Sequence, residues 1–79
     1  LLADPEVKAA YDALETAQQI ARLRLARGLT QAELAALVGT KQPSIARLEK
    51  GETLPSLAFL TRVANALGAR LIVRLEAYE

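Results

Sequence analysis

The sequence predicts a mostly α-helical fold, a bundle of four to five helices followed by one C-terminal β-strand. Three observations predict it. The 79 residues are enough for one small hydrophobic core. Up to about residue 68, apolar residues recur at helical spacing between residues that start and stop helices. Beyond that point, apolar and polar residues alternate over 70–76, as is typical of a strand.

The composition excludes several classes of functional site. The chain has no cysteine and no histidine, which removes disulfides, thiolate metal sites, the commonest metal ligand and the commonest general base. The nine acidic residues are scattered, and no glycine-rich phosphate loop is present. We therefore expect a protein without enzymatic activity, metal or cofactor.

The apolar segments and the first residue bear on location. No apolar run approaches the length of a membrane span, and the first residues do not resemble a signal peptide. We expect a cytoplasmic protein with no membrane partner. Because the chain begins at Leu1 and not at methionine, we also expect it to be part of a slightly longer one.

Charge is distributed unevenly, although the formal net charge is only +1. Residues 1–19 are acidic and residues 51–79 are balanced, whereas residues 20–50 are basic. The basic residues of this middle segment are Arg22, Arg24, Arg27, Lys41, Arg47 and Lys50. Such a segment attracts phosphate, although ordinary solvated faces would give the same charges.

Residues 1–18 form the first predicted segment, a helix with Asp4 as its N-cap. Val7, Tyr11 and Leu14 share one face of this helix. Because Thr16 is able to cap a second helix, the pattern leaves open whether residues 5–27 form one helix or two.

Residues 28–51 contain the most informative pattern, two short helices joined by a tight turn. Thr30 is a good N-cap for a helix over 31–38, and Gly39 provides the positive φ that a sharp turn needs. The next helix spans 42–50 and ends before a glycine. The residues expected in the core are Leu34, Leu37 and Val38 of the first helix and Ile45 and Leu48 of the second. This is the pattern of a helix-turn-helix, which indicates binding to duplex DNA.

A fourth helix is predicted between Ser56, its expected N-cap, and Gly68, its end. Its apolar residues are spaced to form one stripe against the core. The residues of this expected stripe are Leu57, Leu60, Val63, Ala64 and Leu67.

The C-terminal segment, residues 69–79, is β-branched and partly alternating. A single strand leaves its backbone groups unpaired, and nothing else in the chain is predicted to pair with it. We therefore expect it to pair antiparallel with the same strand of a second copy, giving a homodimer. The residues of this expected interface are Leu71, Ile72, Val73, Arg74 and Leu75. A short fifth helix or a frayed end is the alternative.

Residues 20–68 resemble the lambdoid-repressor-type (XRE/Cro-like) helix-turn-helix family. The resemblance rests on stretches that occur in order and at normal spacing. These are LTQAELA at 29–35, Gly39, QPSIARLE at 42–49, Gly51 and LPSL at 54–57. The resemblance implies that residues 19–68 are a DNA-binding domain whose third helix lies in the major groove.

Four residues of the third helix are the expected base readers. Gln42 suits an adenine edge, Arg47 reaches a guanine or a phosphate, and Ser44 makes a short contact. Pro43 stands where phage repressors often have a polar residue, so we expect at most a contact with a thymine methyl group there.

Phosphate contacts are expected around the start of the second helix and on the flanks of the third. The residues concerned are Thr30, Gln31, Lys41 and Lys50. By resemblance, Gln31 also braces Gln42, and Glu49 pairs with Arg24. A simple surface glutamate is the alternative at position 49.

Nearly the whole chain resembles antitoxins of the HigA type. The likeness adds the opening DPEVKAAYDALE at 4–15 and the ending GARLIVRL at 68–75. It implies a dimeric antitoxin that represses its own operon and neutralises a small, basic, RelE/HigB-like mRNA ribonuclease. Two copies joined through their tails would place the recognition helices about 34 Å apart, on an inverted-repeat operator of double-stranded DNA.

The candidate toxin contacts are Val7, Tyr11 and Leu14, although an aromatic residue such as Tyr11 is more often a core or interface residue. Two alternatives to an antitoxin stay open. One is a phage-type or metabolic transcriptional repressor with no toxin partner, and the other is a protein-interaction module that does not touch DNA.

Overall fold

Four α-helices make up the regular structure of a computed structural model that describes residues 5–75 and 77–78, with side chains from residue 14 onwards. They are α1 (Pro5–Ala26), α2 (Gln31–Val38), α3 (Gln42–Glu49) and α4 (Leu57–Ala66). Residues 5–26 thus form one helix, which runs unbroken across the boundary expected between residues 18 and 19. Asp4 and the side chains of Val7 and Tyr11 lie outside the described residues.

The predicted caps of α2 and α4 are confirmed. The Thr30 hydroxyl accepts a hydrogen bond from the Glu33 backbone N–H (3.0 Å), while the Thr30 backbone N–H donates to the Glu33 carboxylate (2.8 Å). This reciprocal pair is a capping box. Its two hydrogen bonds hold the pKa of Glu33 below the ordinary value, so this residue is negatively charged at neutral pH. Ser56 caps α4 by accepting from the Phe59 backbone N–H.

The turn between α2 and α3 depends on Gly39. Its φ is +83°, a left-handed conformation that residues with a Cβ rarely adopt. Its backbone N–H and that of Thr40 both donate to the Ala35 carbonyl, which closes the end of α2. Two helices of eight residues each are thereby held at a fixed angle.

The hydrophobic core lies where α2, α3 and α4 meet α1. Its buried members in the described residues are Ala17, Ile20, Leu34, Ala35, Val38, Ile45, Leu48, Val63 and Leu67. The predicted burial of Ile45 and Leu48 is confirmed, and these two side chains fix α3 to the rest of the bundle.

Two core predictions were wrong. Leu37 is 61% exposed, because the buried arc of α2 runs from Leu34 through Val38 to Ala35. At about 100° per residue, Leu37 lies about 110° from the centre of that arc. Leu57 is 59% exposed, because it lies in the first turn of α4, at the edge of the apolar stripe.

Residues 69–75 and 77–78 contain neither a helix nor a hydrogen-bonded strand. The alternative of a fifth helix is therefore not observed in this part of the tail. The strand stays a prediction, since the partner that it requires is a second chain. Leu71 is half-buried, whereas Ile72, Val73 and Leu75 are exposed.

We predict that Leu34→Ala lowers the free energy of unfolding by about 2–5 kcal/mol, because it leaves a cavity at a fully buried site. The matched change Leu37→Ala, one helical turn away, should change the free energy of unfolding by no more than about 0.5 kcal/mol. Urea unfolding of the two variants and the wild type measures both. Equal losses would contradict the packing described for α2.

Candidate nucleic-acid interface

The outward face of α3 is polar and accessible. The Gln42, Pro43 and Arg47 side chains are exposed, and Ser44 is half-buried beside them. Pro43 stands in the first turn, where its missing N–H interrupts no helical hydrogen bond. The two flanking lysines, Lys41 and Lys50, are also exposed. This face therefore offers the hydrogen-bonding groups and positive charge that a DNA groove requires.

A bidentate ion pair fixes the end of α3 to α1. Arg24 Nε donates to Glu49 Oε2 (2.7 Å) and Arg24 Nη2 donates to Glu49 Oε1 (3.1 Å). The two side chains are only 13% and 7% exposed. The hydrogen bond to Glu49 raises the pKa of Arg24 above its already high ordinary value, so the guanidinium is charged at neutral pH. The pairing implied for these residues is present, and the simple surface glutamate is not.

The same arginine also holds the loop between α1 and α2. Arg24 Nη1 donates to the Leu29 carbonyl at 2.8 Å. One guanidinium thus ties together α1, the loop that precedes α2, and the last residue of α3. Because the fork of an arginine is planar and rigid, these bonds constrain direction as well as distance.

A chain of amide hydrogen bonds runs from this ion pair to the exposed start of α3. Gln31 Nε2 donates to Glu49 Oε1 (3.0 Å), and Gln42 Nε2 donates to Gln31 Oε1 (2.8 Å). We call the four residues Arg24, Glu49, Gln31 and Gln42 the polar relay. The brace between Gln31 and Gln42 follows the resemblance, whereas the Gln31–Glu49 bond was missed because no local pattern links positions 18 residues apart.

Two further predicted site residues, Thr30 and Leu14, take no part in this relay. Thr30 caps α2, and Leu14 is 44% exposed on α1. Leu14 lies close to Gly51, where an added Cβ would approach Leu14 Cδ1 to 3.3 Å. Arg27, a residue of the basic segment, donates to the Leu67 carbonyl at the end of α4 (2.9 Å).

A groove of about 330 Å³ lies between α1, α4 and the tail, and none of its lining residues belongs to α2 or α3. Among the residues that the structure describes, no group of acidic side chains is arranged to hold a metal ion. No helix in that same part of the chain is both long and apolar enough to cross a membrane.

Comparison of the sequence with known families matches residues 20–72 to the helix-turn-helix family HTH_3. Antitoxin HigA1 of Mycobacterium tuberculosis is 36% identical over 80 residues, which cover 96% of this chain and 54% of that protein. An HTH-type transcriptional regulator of Haemophilus influenzae is 46% identical over 46 residues, or 58% of this chain and 47% of that protein. The chain thus spans about half the length of these curated relatives.

Solved structures with the same fold are also regulators. The restriction-modification controller protein C.AhdI of Aeromonas hydrophila superposes with a TM-score of 0.74 at 31% identity, covering 77% of this chain and 88% of that one. The clp gene regulator ClgR of C. glutamicum superposes with a TM-score of 0.73 at 27% identity, covering 75% and 76%.

We predict that Arg24→Met lowers the free energy of unfolding by about 3–5 kcal/mol, because Glu49 is left charged, buried and without its cationic partner. The double variant Arg24→Met/Glu49→Met should recover most of this loss. Arg22→Met, an exposed arginine on the same helix, is the control and should cost within about 0.5 kcal/mol. Chemical denaturation of the four proteins measures the differences, and a double variant as unstable as the single one would contradict the explanation.

Proposed function

The chain belongs to the helix-turn-helix family HTH_3 of DNA-binding transcriptional regulators, and on that premise we propose that it is a dimeric antitoxin. In this proposal it binds an inverted-repeat operator, represses its own operon, and neutralises a RelE/HigB-like ribonuclease in the cytoplasm. It has no catalytic role of its own.

The outward face of α3 carries the DNA-binding part of the proposal. Gln42 is exposed at the start of the helix but is held by Gln31, so its amide is oriented before DNA arrives. An amide with a free acceptor and a free donor matches the N6 and N7 edge of adenine. In the proposal, Arg47, one to two turns further along, contacts a guanine or a phosphate, and Ser44 makes a short contact.

Phosphate contacts complete this interface in the proposal. Lys41 precedes α3 and Lys50 follows it, and both side chains are exposed. Thr30 and Gln31 stand at the positive end of the α2 dipole. These four residues would fix the position of the domain on DNA without reading sequence.

The tail supports the dimer. Leu71, Ile72, Val73, Arg74 and Leu75 are the proposed contacts, and Leu75 is 96% exposed in the single chain. Ile72 and Val73 are exposed as well, and exposed apolar side chains of this kind are stabilised when a second copy covers them. Two-fold symmetry of the protein then requires two-fold symmetry of the operator.

The extent of one match favours an antitoxin over a plain repressor. The HigA1 match covers 96% of the chain and so includes the first half of α1 and the tail. The matched HTH-type regulators of Haemophilus influenzae, Methanothermobacter thermautotrophicus and Archaeoglobus fulgidus cover between 52% and 67%. We propose that Val7, Tyr11 and Leu14 on α1 contact the toxin.

A repressor with no toxin is the second candidate. It is favoured by the two solved neighbours, which are a restriction-modification controller protein and a regulator of the clp genes. In that case the first half of α1 would serve the stability of the domain alone.

We predict that selection from a random duplex pool yields an inverted repeat whose half-sites lie about 34 Å apart, one turn of DNA. Arg47→Ala should weaken binding to that duplex by about 1–3 kcal/mol, whereas the control Arg62→Ala on α4 should change affinity less than about threefold. Fluorescence anisotropy over a series of salt concentrations measures the affinity of the two variants and the wild type for that duplex. Selection of no consensus, or equal effects of the two variants, would count against DNA recognition by α3.

We predict that a RelE/HigB-like ribonuclease is encoded beside the gene of this chain, and that co-expression of the chain restores growth to cells that express that ribonuclease. Introduction of a negative charge on α1, as in Leu14→Glu, should abolish this rescue while DNA affinity stays within about threefold, because Leu14 is not among the residues proposed to contact DNA. The matched change Leu37→Glu, at an exposed leucine of α2, is the control. Absence of rescue by the wild-type chain would leave the plain repressor as the better assignment.

A further inference from the structure

The polar relay has a direction, and that direction begins at Glu49. An ionised carboxylate is an acceptor only, whereas an amide side chain presents either an acceptor or a donor to a neighbour. Glu49 Oε1 accepts from Arg24 and from Gln31, and its Oε2 accepts from Arg24. Because the glutamate is only 7% exposed, little water is at hand to replace these donors.

This acceptor dictates which way the Gln31 amide faces. Its nitrogen must point at Glu49, since a rotated amide would bring two oxygens to 3.0 Å and lose the hydrogen bond. The Gln31 oxygen is therefore the atom left for Gln42, at 2.8 Å. That oxygen in turn requires a donor, so the Gln42 nitrogen must face inward.

The consequence appears at the exposed end of the relay. One N–H of Gln42 is used by Gln31, and the other N–H and the Oε1 oxygen remain for an incoming ligand. One donor beside one acceptor fits adenine, which offers N7 as an acceptor and N6 as a donor. If the relay were reversed, Gln42 would present two donors, which fit the N7 and O6 acceptors of guanine.

We propose that Glu49, which lies at the far end of α3 from Gln42, is a positioning residue that sets base specificity by fixing the orientation of the Gln42 amide. The inference rests on the proposed DNA-binding function and deepens it, because it assigns the preference for adenine over guanine to a buried carboxylate that touches no base.

The experiment measures discrimination at one base pair. Duplexes selected by the wild-type protein are altered one position at a time, and the pair that Gln42 reads is the one at which Gln42→Ala removes the preference. At that position the wild type should bind adenine at least about tenfold more tightly than guanine. In Glu49→Gln the ratio should fall below about threefold, because a glutamine at position 49 is able to donate and the relay loses its direction.

Two matched variants distinguish a change in the orientation of the relay amides from a change in the stability of the protein. Arg24→Lys weakens the same ion pair and should lower the melting temperature, as Glu49→Gln does, but it keeps the carboxylate and should keep the tenfold ratio. Glu33→Gln makes the same chemical change at an exposed glutamate of α2 and should keep it too. If Arg24→Lys loses as much discrimination as Glu49→Gln, or if Glu49→Gln keeps the wild-type ratio, the proposal is overturned.

A further variant covers the case in which Glu49→Gln does not fold. Gln31→Leu preserves the Arg24–Glu49 pair and cuts the relay between Glu49 and Gln42, so it should lower the ratio at the Gln42 position and at no other. An unchanged ratio would overturn the proposal. A wild-type protein that selects no sequence would instead refute the proposed function itself, and a preference for guanine at the Gln42 position would refute only the direction assigned to the relay.

Discussion

The ion pair between Arg24 and Glu49 is the constraint on which the outward face of α3 depends. Helix α3 has only eight residues and inserts two side chains, Ile45 and Leu48, fully into the core. Helices this short are marginal alone, so their position comes from tertiary contacts. Two apolar anchors resist withdrawal of the helix but restrain its rotation weakly, whereas a bidentate pair to α1 fixes both distance and direction.

The pair also resolves an electrostatic conflict. Glu49 is the last residue of α3, where the helix dipole is negative, and it belongs to a helix proposed to approach phosphates. A lone carboxylate would be unfavourable on both counts. Arg24 neutralises it at 2.7 Å, so the residue retains its value as a hydrogen-bond acceptor without adding net negative charge to the interface. The acceptor can then organise Gln31 and, through it, the exposed amide.

Whether the sequence alone could predict an interaction depends on how far apart its residues lie along the chain. The Thr30 and Ser56 caps, the turn at Gly39 and the anchors of α3 depend on residues within four positions, and all of them were predictable. The exposure of Leu37 was not predictable, because it depends on which arc of α2 faces its neighbours. The Arg24–Glu49 pair was reached only through resemblance, and the Gln31–Glu49 bond by neither route, since spacing says nothing about side chains from separate helices.

The structure of the tail is also hard to predict from the sequence, because a single strand requires a second chain as its partner. Ile72 and Leu75 are 75% and 96% exposed, although residues 70–76 have the composition of a strand. A strand without a neighbour lacks the hydrogen bonds between strands that stabilise it, so a single chain does not favour its formation. A domain of 79 residues has a small core, and burial between two copies would add to its stability. If the tails join, the same contact that stabilises each domain also sets the separation of the two α3 helices, and stability and operator geometry then depend on one interface.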